Sequence, residues 1–441
     1  MEFGIVAALC VFVVIIAIGV PLGWGFLSST IVGLWGLNQS LGFIAGTFYH
    51  SINNYILMGI AFFIFAGALI AQAGLAERIV RFSYALVGNL RGGLIVVAII
   101  ASVIMGALTG SSLPVISALI PLLVPQLEKY GYNRTYTTSV LCSCSFLGYL
   151  IPPSVPAMIY CLIAQQSVAA MFLATVFPGL LLAGGYMIVN YFICPKYIDE
   201  SKAPPLMEAA LRRKERLVAT WSALPALGAP AIILAGIYGG FFTPNEAGAI
   251  GVVYCLIVGF LVYRDLTPKR FWTAILTSVL TVGMINLMIA TGTVFTRLLI
   301  REGVAQTVAA FILGMFESKV MILIMMNIFL LILGMFIDGA PIMILAVPII
   351  LPLIRQLDVN LIQLGAIVIV NIGLGVVTPP FAISMFVGAR LADVKYIELI
   401  KPMMLFFILV GIPVLLLTTF VPALSCWLPS VMLGVEMVGP W

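Results

Sequence analysis

Charge is scarce in this chain, and histidine is nearly missing. Only 8% of its 441 residues are Asp, Glu, Lys or Arg, against 63% hydrophobic. A soluble domain carries about 25% charged residues. The shortage excludes a soluble fold, because no such fold hides this much apolar surface. With His50 as the single histidine, a His-rich metal centre is excluded and no Ser-His triad is on offer. Cysteine chemistry is equally thin. Cys10, Cys142, Cys144, Cys161, Cys194, Cys255 and Cys426 are scattered, and only Cys142 and Cys144 lie close together. A C-x-C pair inside an apolar segment lacks the spacing and polar context of a metal site, so all seven read as small apolar packing residues. The short alternating strands of a β-barrel are missing too. No basic segment precedes the N-terminal apolar stretch, which instead carries Glu2. It reads as a retained first helix, not a cleavable signal. The net charge, 21 − 16 = +5, marks cytoplasmic loops and no nucleic-acid surface.

What is present is a dense series of apolar segments with a mean hydropathy of +1.22. A spanning helix takes roughly 20 residues, so the chain reads as an all-α polytopic membrane protein with on the order of a dozen membrane segments. Two segments are too short to cross. Residues 94–108 and 114–127 flank the polar turn Thr109-Gly110-Ser111-Ser112. At 1.5 Å per residue each reaches only roughly 22 Å, short of a hydrocarbon core of about 30 Å. A re-entrant hairpin, 94–127, satisfies both facts, its tip tolerated at membrane depth because protein surrounds it. The most polar stretch, 195–216, holds Lys196, Lys202, Arg212, Arg213, Lys214 and Arg216 and is assigned to the cytoplasm. Counting crossings from that loop places both termini in the periplasm and opens a second hairpin, 320–354, to the outside.

Shifting the sequence by 227 residues exposes an internal repeat. Pro114, Pro121, Pro125, Pro152 and Pro153 fall on Pro341, Pro348, Pro352, Pro379 and Pro380, and Gly148 falls on Gly375. Proline is about one residue in 18 here, so chance does not produce this register. Five crossings separate the two units, and an odd number inverts the second. An inverted-topology repeat is the construction of many secondary transporters. The expected organisation is N-terminal scaffold helices over 1–93 and a first transport repeat over 94–194, with its broken helix at 136–164. The cytoplasmic loop 195–216 and central scaffold helices over 217–318 follow. A second transport repeat occupies 319–391, broken at 361–388, and a C-terminal helix and tail fill 392–441.

Each half places a hairpin tip, 109–113 or 336–340, against a helix broken at 148–154 or 375–381. Proline withholds an N–H and blocks helix continuation, so Pro152 and Pro379 free carbonyls at the breaks. Gly148 and Gly375 allow close backbone approach. These groups, with Gly339 and the hydroxyls of Ser111, Ser112, Ser154 and Thr378, form a candidate set for a hard cation such as Na⁺. Free N–H groups at the half-helix N-termini suit an anionic substrate. Ser111 and Ser112 have an alternative, bonding to their own helix backbone. Asp338 is the lone acid between 318 and 354 and the repeat partner of Ser111. It is either a cation ligand or a cap for the following half-helix. Asn371, one turn before Gly375, either faces the cavity, binding substrate or sodium, or glues two helices. Glu246, after Thr243-Pro244-Asn245, reads as part of a helix start.

At these residues the chain resembles a known family, the large membrane subunit of TRAP (tripartite ATP-independent periplasmic) transporters. The resemblance runs through Ala85-Leu86-Val87-Gly88 and Arg91-Gly92-Gly93-Leu94 to the Gly110-Ser111-Ser112 tip. It continues through Gly131-Tyr132 and Gly148-Tyr149-Leu150-Ile151-Pro152-Pro153-Ser154. Thr243-Pro244-Asn245-Glu246-Ala247 and the run from Asn371 through Gly375 to Thr378-Pro379-Pro380 complete it. Leu113-Pro114 departs from the small residues common in the family after the first tip. The resemblance implies an elevator-type, Na⁺-driven transporter of the bacterial inner membrane with no further cofactor. It implies as substrate a small organic acid, such as a C4-dicarboxylate, sialic acid, or sugar or keto acid. The implied partners are a small four-helix membrane subunit, expected as a separate polypeptide, and a periplasmic binding protein. Ser154, Asn371 and Thr378 are the candidates for substrate contact. The alternative is a stand-alone sodium/dicarboxylate or citrate symporter of the same broad superfamily, against which the Thr-Pro-x-Glu-Ala run argues. A channel would show rings of pore-lining residues, and an intramembrane protease paired acids or a Ser-His pair. Neither pattern is visible.

Overall fold

The computed structural model describes residues 3–87, 93–199, 209–316, 318–337 and 339–441. Among these residues every regular element is a helix, and the only strand-like contact is an isolated bridge between Tyr132 and Ile198. Eight helices are long and apolar enough to cross a membrane. The pair Arg134–Leu150 and Val155–Ala164, bent by 44°, is apolar and long enough for a ninth if it forms one broken span. Without water to satisfy backbone groups, helices are the form such apolar sequence must take. Buried hydroxyls are tolerated for the same reason. Thr30, Ser102, Thr109, Ser143, Ser278 and Thr418 each donate to the carbonyl four residues earlier, which pairs their protons within their own helices.

The repeat seen in the prolines extends to the surrounding helices. Leu22–Gly36 packs on the long helix Pro268–Arg301, as Pro244–Ile257 packs on Tyr55–Gln72. Inside this frame sit two helical hairpins. The first has arms Gly93–Thr109 and Ser112–Lys129, the second Lys319–Phe336 and Gly339–Gln356. Each first arm lies against the broken helix of its own repeat, Arg134–Ala164 or Leu361–Ala392. Each second arm crosses to the other repeat, so Ser112–Lys129 packs on Ile383–Ala392 and Gly339–Gln356 on Val155–Ala164. This exchange locks the two halves into one central body, and the apolar core that fills it continues into the surrounding helices through Leu57, Phe63, Ile79, Ala226 and Ile289.

Two segments differ from the sequence-based expectation. The polar stretch 195–216 is not loop throughout, because the helix Ala209–Tyr238 begins inside it. Tertiary contacts hold its second turn. Arg81 pairs with Glu215 at 2.7 Å, and Arg216 donates to the carbonyls of Ala85 and Leu86. The C-terminal tail also folds, as helix Ala423–Leu433 against Val168–Ile193, with Trp427 beside Phe177. Asn360 anchors the chain end by donating to the carbonyls of Val438 and Pro440. In both places a distant element makes the helix profitable, a contact invisible to local pattern.

Arg78, Arg81, Arg134 and Arg216 cluster around the helix Leu75–Val87 and the open end of the first hairpin. Arg78 meets Asp265 at 2.7 Å and stacks over Tyr263 at 3.9 Å. Arg134 pairs with Glu128 and donates to the Ala392 carbonyl. The helix Leu75–Val87 lies between these groups, its apolar face buried through Leu75, Ile79 and Val80.

Candidate functional site

Both hairpin tips abut a proline break, and glycine makes the contact possible in each half. A β-carbon on Gly106 would lie 2.6 Å from the Gly148 Cα, and one on Gly334 would lie 2.8 Å from the Gly375 Cα. These are backbone-on-backbone contacts that no side chain fits between. The sequence pattern marks Gly148 and Gly375 but passes over Gly106 and Gly334. The available signal is their spacing, four or five residues ahead of each tip with a register of 228 instead of 227. The first tip turns through Gly110, whose positive φ of +61° glycine adopts without strain. Its carbonyl accepts from the Val155 N–H at 3.3 Å, joining tip to break. Both Pro-Pro bonds, Pro152-Pro153 and Pro379-Pro380, are cis.

The breaks free particular carbonyls. In an unbroken helix each proline position would supply the N–H for the carbonyl four residues earlier. Pro152 and Pro156 therefore withhold it from Gly148 and Pro152, and Pro380 from Val376. Other groups are recaptured locally. Ser154 Oγ donates to the Tyr149 carbonyl at 2.5 Å and accepts from the Ala157 N–H at 3.2 Å, capping Val155–Ala164. Thr378 Oγ1 donates to the Leu374 carbonyl at 2.5 Å, and the Gly375 carbonyl accepts from the Thr378 N–H at 2.9 Å. Ser112 Oγ donates to the Tyr149 hydroxyl at 3.0 Å. The protons of Ser112, Ser154 and Thr378 are thus directed into protein, which leaves oxygen lone pairs as the remaining chemistry. An oxygen-only donor set fits a hard cation, so the residues present are compatible with Na⁺. Among the described residues no cluster of three His, Cys, Asp or Glu offers a different kind of metal site.

A cavity of about 500 Å³ lies where the two tips converge. Thr109, Ser111 and Pro114 line it from the first tip, Tyr149 and Val155 from the first break, and Gly339 and Ala340 from the second tip. The far wall is one face of the long helix, through Ala274, Thr277, Thr281 and Ile285. None of the described lining residues is charged. Ser111 sits in extended conformation ahead of Ser112–Lys129 and presents itself to this cavity.

The remaining candidates stand behind the wall. Ser154, Asn371 and Thr378 are 1%, 0% and 4% exposed and do not line the cavity. Asn371 joins a buried chain of amides. Its Nδ2 donates to Asn327 Oδ1 at 2.6 Å, and Asn327 Nδ2 donates to Thr419 Oγ1 at 2.9 Å. Gln363 continues the chain to the Thr419 carbonyl at 2.9 Å. The chain ties the second hairpin, the second broken helix and the helix Ile412–Phe420 together, leaving the Asn371 Oδ1 without a partner. Glu246 closes a reciprocal capping box with Thr243, at 2.8 and 3.4 Å. Asp338 lies outside the described residues, as do Gly88, Arg91 and Gly92 of the first motif.

Comparison with known proteins places this geometry. The family model described as "Tripartite ATP-independent periplasmic transporter, DctM component" matches residues 9–424. The C4-dicarboxylate TRAP transporter large permease protein DctM of Vibrio cholerae is 32% identical over 96% of both chains. The sialic acid TRAP transporter large permease protein SiaM of the same organism is 31% identical, over 94% of this chain and 96% of its own. An isethionate TRAP transporter permease, DctMQ of Oleidesulfovibrio alaskensis, is 32% identical over 94% of this chain, which spans 64% of that relative's length. Among solved structures, the YdaH transporter of Alcanivorax borkumensis aligns over 92% of this chain and 90% of its own. The TM-score is 0.55 at 13% identity, a likeness of fold alone.

Proposed function

Because the chain belongs to the DctM-component family of TRAP transporters, as a large permease subunit and not an enzyme, we propose that it imports a small organic acid across the inner membrane, driven by Na⁺. The observation that carries this reading is the cavity shared by two hairpin tips, each backed by a proline break, with no charge among its described lining residues. Against such partly apolar walls an anion needs a counter-charge. Sodium held by oxygen lone pairs at Ser111, Ser112, Gly148, Pro152, Gly339, Gly375, Thr378 and Pro379 would supply it, coupling the two solutes by electrostatics. Asp338, as a ligand or a cap, belongs to the same proposal. Substrate contact from Ser154, Asn371 and Thr378 requires these buried groups to be exposed when the tips move apart. Transport would then be movement of the central body against the frame, an elevator stroke.

The relatives' names support the substrate class, since C4-dicarboxylates, sialic acid and isethionate are all small organic anions. The proposed partners are a small membrane subunit beside the frame and a periplasmic binding protein that delivers the acid. The positive-inside rule would put the basic end, with Arg78, Arg81, Arg134 and Arg216, in the cytoplasm. The deciding experiment is uptake into proteoliposomes containing this chain and its small subunit, with succinate, isethionate and N-acetylneuraminate each offered with a matching binding protein. Uptake is expected only with an inward sodium gradient and binding protein together. Uptake by this chain alone, without binding protein, would sink the tripartite reading and favour the stand-alone symporter.

A further inference from the structure

A second cavity, of about 470 Å³, lies at the end of the molecule opposite the basic loops. The face of Pro268–Arg301 that lines the central cavity continues into it without interruption. Thr277, Thr281 and Ile285 face the first cavity, and Ile289, Thr293 and Arg297 face the second. These positions advance by four residues each, one stripe of a helix. From Ile285 to Ile289 is about 6 Å along the axis, so a single turn of apolar side chain separates the two spaces. The second hairpin forms the facing wall. Its Ala340 borders the central cavity and its Ile344 the outer one. The two cavities are therefore successive compartments along one path.

Their chemistry differs. The described walls of the central cavity carry no charge, whereas the outer cup is lined by Arg297, Arg355 and His50 and, among the described residues, by no carboxylate. Arg297 comes from the long helix and Arg355 from the second hairpin. Arg297 is about 18 Å beyond Ile285 on one helix, and Arg355 about 22 Å beyond Ala340 on the other. The repeat does not account for this charge. The position matching Arg355 in the first half (355 − 227) is Glu128, an acid bound to Arg134 at 2.7 Å. The position matching Arg297 is Ile70.

We propose that this cup is an anion-capture site, in which Arg297 and Arg355 hold a small organic acid by its carboxylate or sulfonate before it enters the central cavity. The inference rests on the organic-acid reading given above for the direction of travel. Guanidinium presents a rigid fork of donors matched to such groups. Cationic walls in a low-dielectric cleft concentrate anions and raise their encounter rate by about 10- to 1,000-fold. Arg297 sits on the frame and Arg355 on the second hairpin, so a captured anion bridges the two bodies. In this arrangement sign of charge is selected in the cup, and shape in the central cavity.

The test uses the purified full chain in nanodiscs, with Thr293→Cys placed in the cup and the exposed native thiol removed as Cys10→Ser. The other six cysteines are buried. Labelling rates are compared for 2-sulfonatoethyl methanethiosulfonate, itself a small organic anion, and its trimethylammonium counterpart, each normalised to a free thiol. The anionic reagent is expected to be favoured, and Arg297→Gln with Arg355→Gln to reduce that preference about tenfold. The corresponding pair of Lys substitutions should keep most of it, and a cysteine at Ser40, outside the cup, should not respond. Should the double variant not accumulate, Arg355→Gln alone is read the same way, with a loss of about threefold expected. An anion preference unchanged by the Gln substitutions overturns the capture site. Loss of organic-acid uptake in the parent, with charge-dependent labelling intact, would overturn the transport reading and leave the cup standing.

Discussion

Replacing Gly106 by alanine tests the contact on which the first half is built. The new β-carbon would stand 2.6 Å from the Gly148 Cα and 2.8 Å from the Gly148 nitrogen. Carbon atoms pack at about 3.5–4.0 Å, so tip and break must separate by roughly 1 Å. Overpacking of this kind costs about 1–3 kcal/mol. Alanine in place of a mid-helix glycine returns about 1 kcal/mol. The net effect on stability is then only about 0–2 kcal/mol, and the variant should fold. The geometry of the first tip is far less forgiving. Metal–ligand distances tolerate about 0.2 Å, one fifth of the imposed shift. The sodium concentration giving half-maximal uptake should therefore rise by about tenfold or more, equivalent to about 1.4 kcal/mol of lost binding. Uptake into proteoliposomes against external sodium measures this, with thermal unfolding recorded in parallel. Gly184→Ala is the control, because a β-carbon there meets nothing within 4 Å. Wild-type sodium dependence in Gly106→Ala would refute the idea that tip-to-break spacing sets the cation site.

Three further outcomes follow from the same geometry. Ser111→Ala and Thr378→Val should each raise the sodium needed for uptake. If uptake at limiting sodium is normal in both, those hydroxyls are not ligands. Asn327→Leu should destabilise by about 1–3 kcal/mol, because it removes an acceptor from the buried Asn371 amide and a donor from Thr419, which keep only their bonds to the Ile367 and Leu415 carbonyls, and a shifted melting temperature reads it directly. Arg81→Ala should cost no more than about 1 kcal/mol, since its partner Glu215 lies at the surface. Any effect there should fade in 0.5 M salt, and a large salt-independent loss would mean that the clamp on the second turn of Ala209–Tyr238 is worth more than a surface pair.

Much of the architecture was legible because prolines and glycines report backbone geometry directly. Pro152-Pro153 and Pro379-Pro380 in a register of 227 disclosed the repeat and both breaks before any coordinate. Gly106 and Gly334 were not legible, since a glycine in an apolar helix has no local mark saying that another backbone approaches it. The helical start at Ala209 and the helix Ala423–Leu433 escaped for a related reason. Each depends on partners more than 100 residues away, Arg81 and Ala85 for one and Phe177 for the other. Asn371 shows the same limit in its side chain, where a single polar residue in an apolar run is compatible with a cavity or a neighbour. The neighbour, Asn327, lies 44 residues earlier on another helix.

By itself the sequence determined that this protein lies in a membrane, that it is helical, and that it is two inverted halves with a hairpin and a proline break each. Those properties follow from composition, from segment length against bilayer thickness, and from the φ constraint and missing N–H of proline, all local. The tertiary structure alone decided which second arm crosses to which half, that both tips share one cavity, and that Arg297 and Arg355 line the same cup beyond it. Such facts depend on distances between residues far apart in the chain, and those distances are set by how the helices pack.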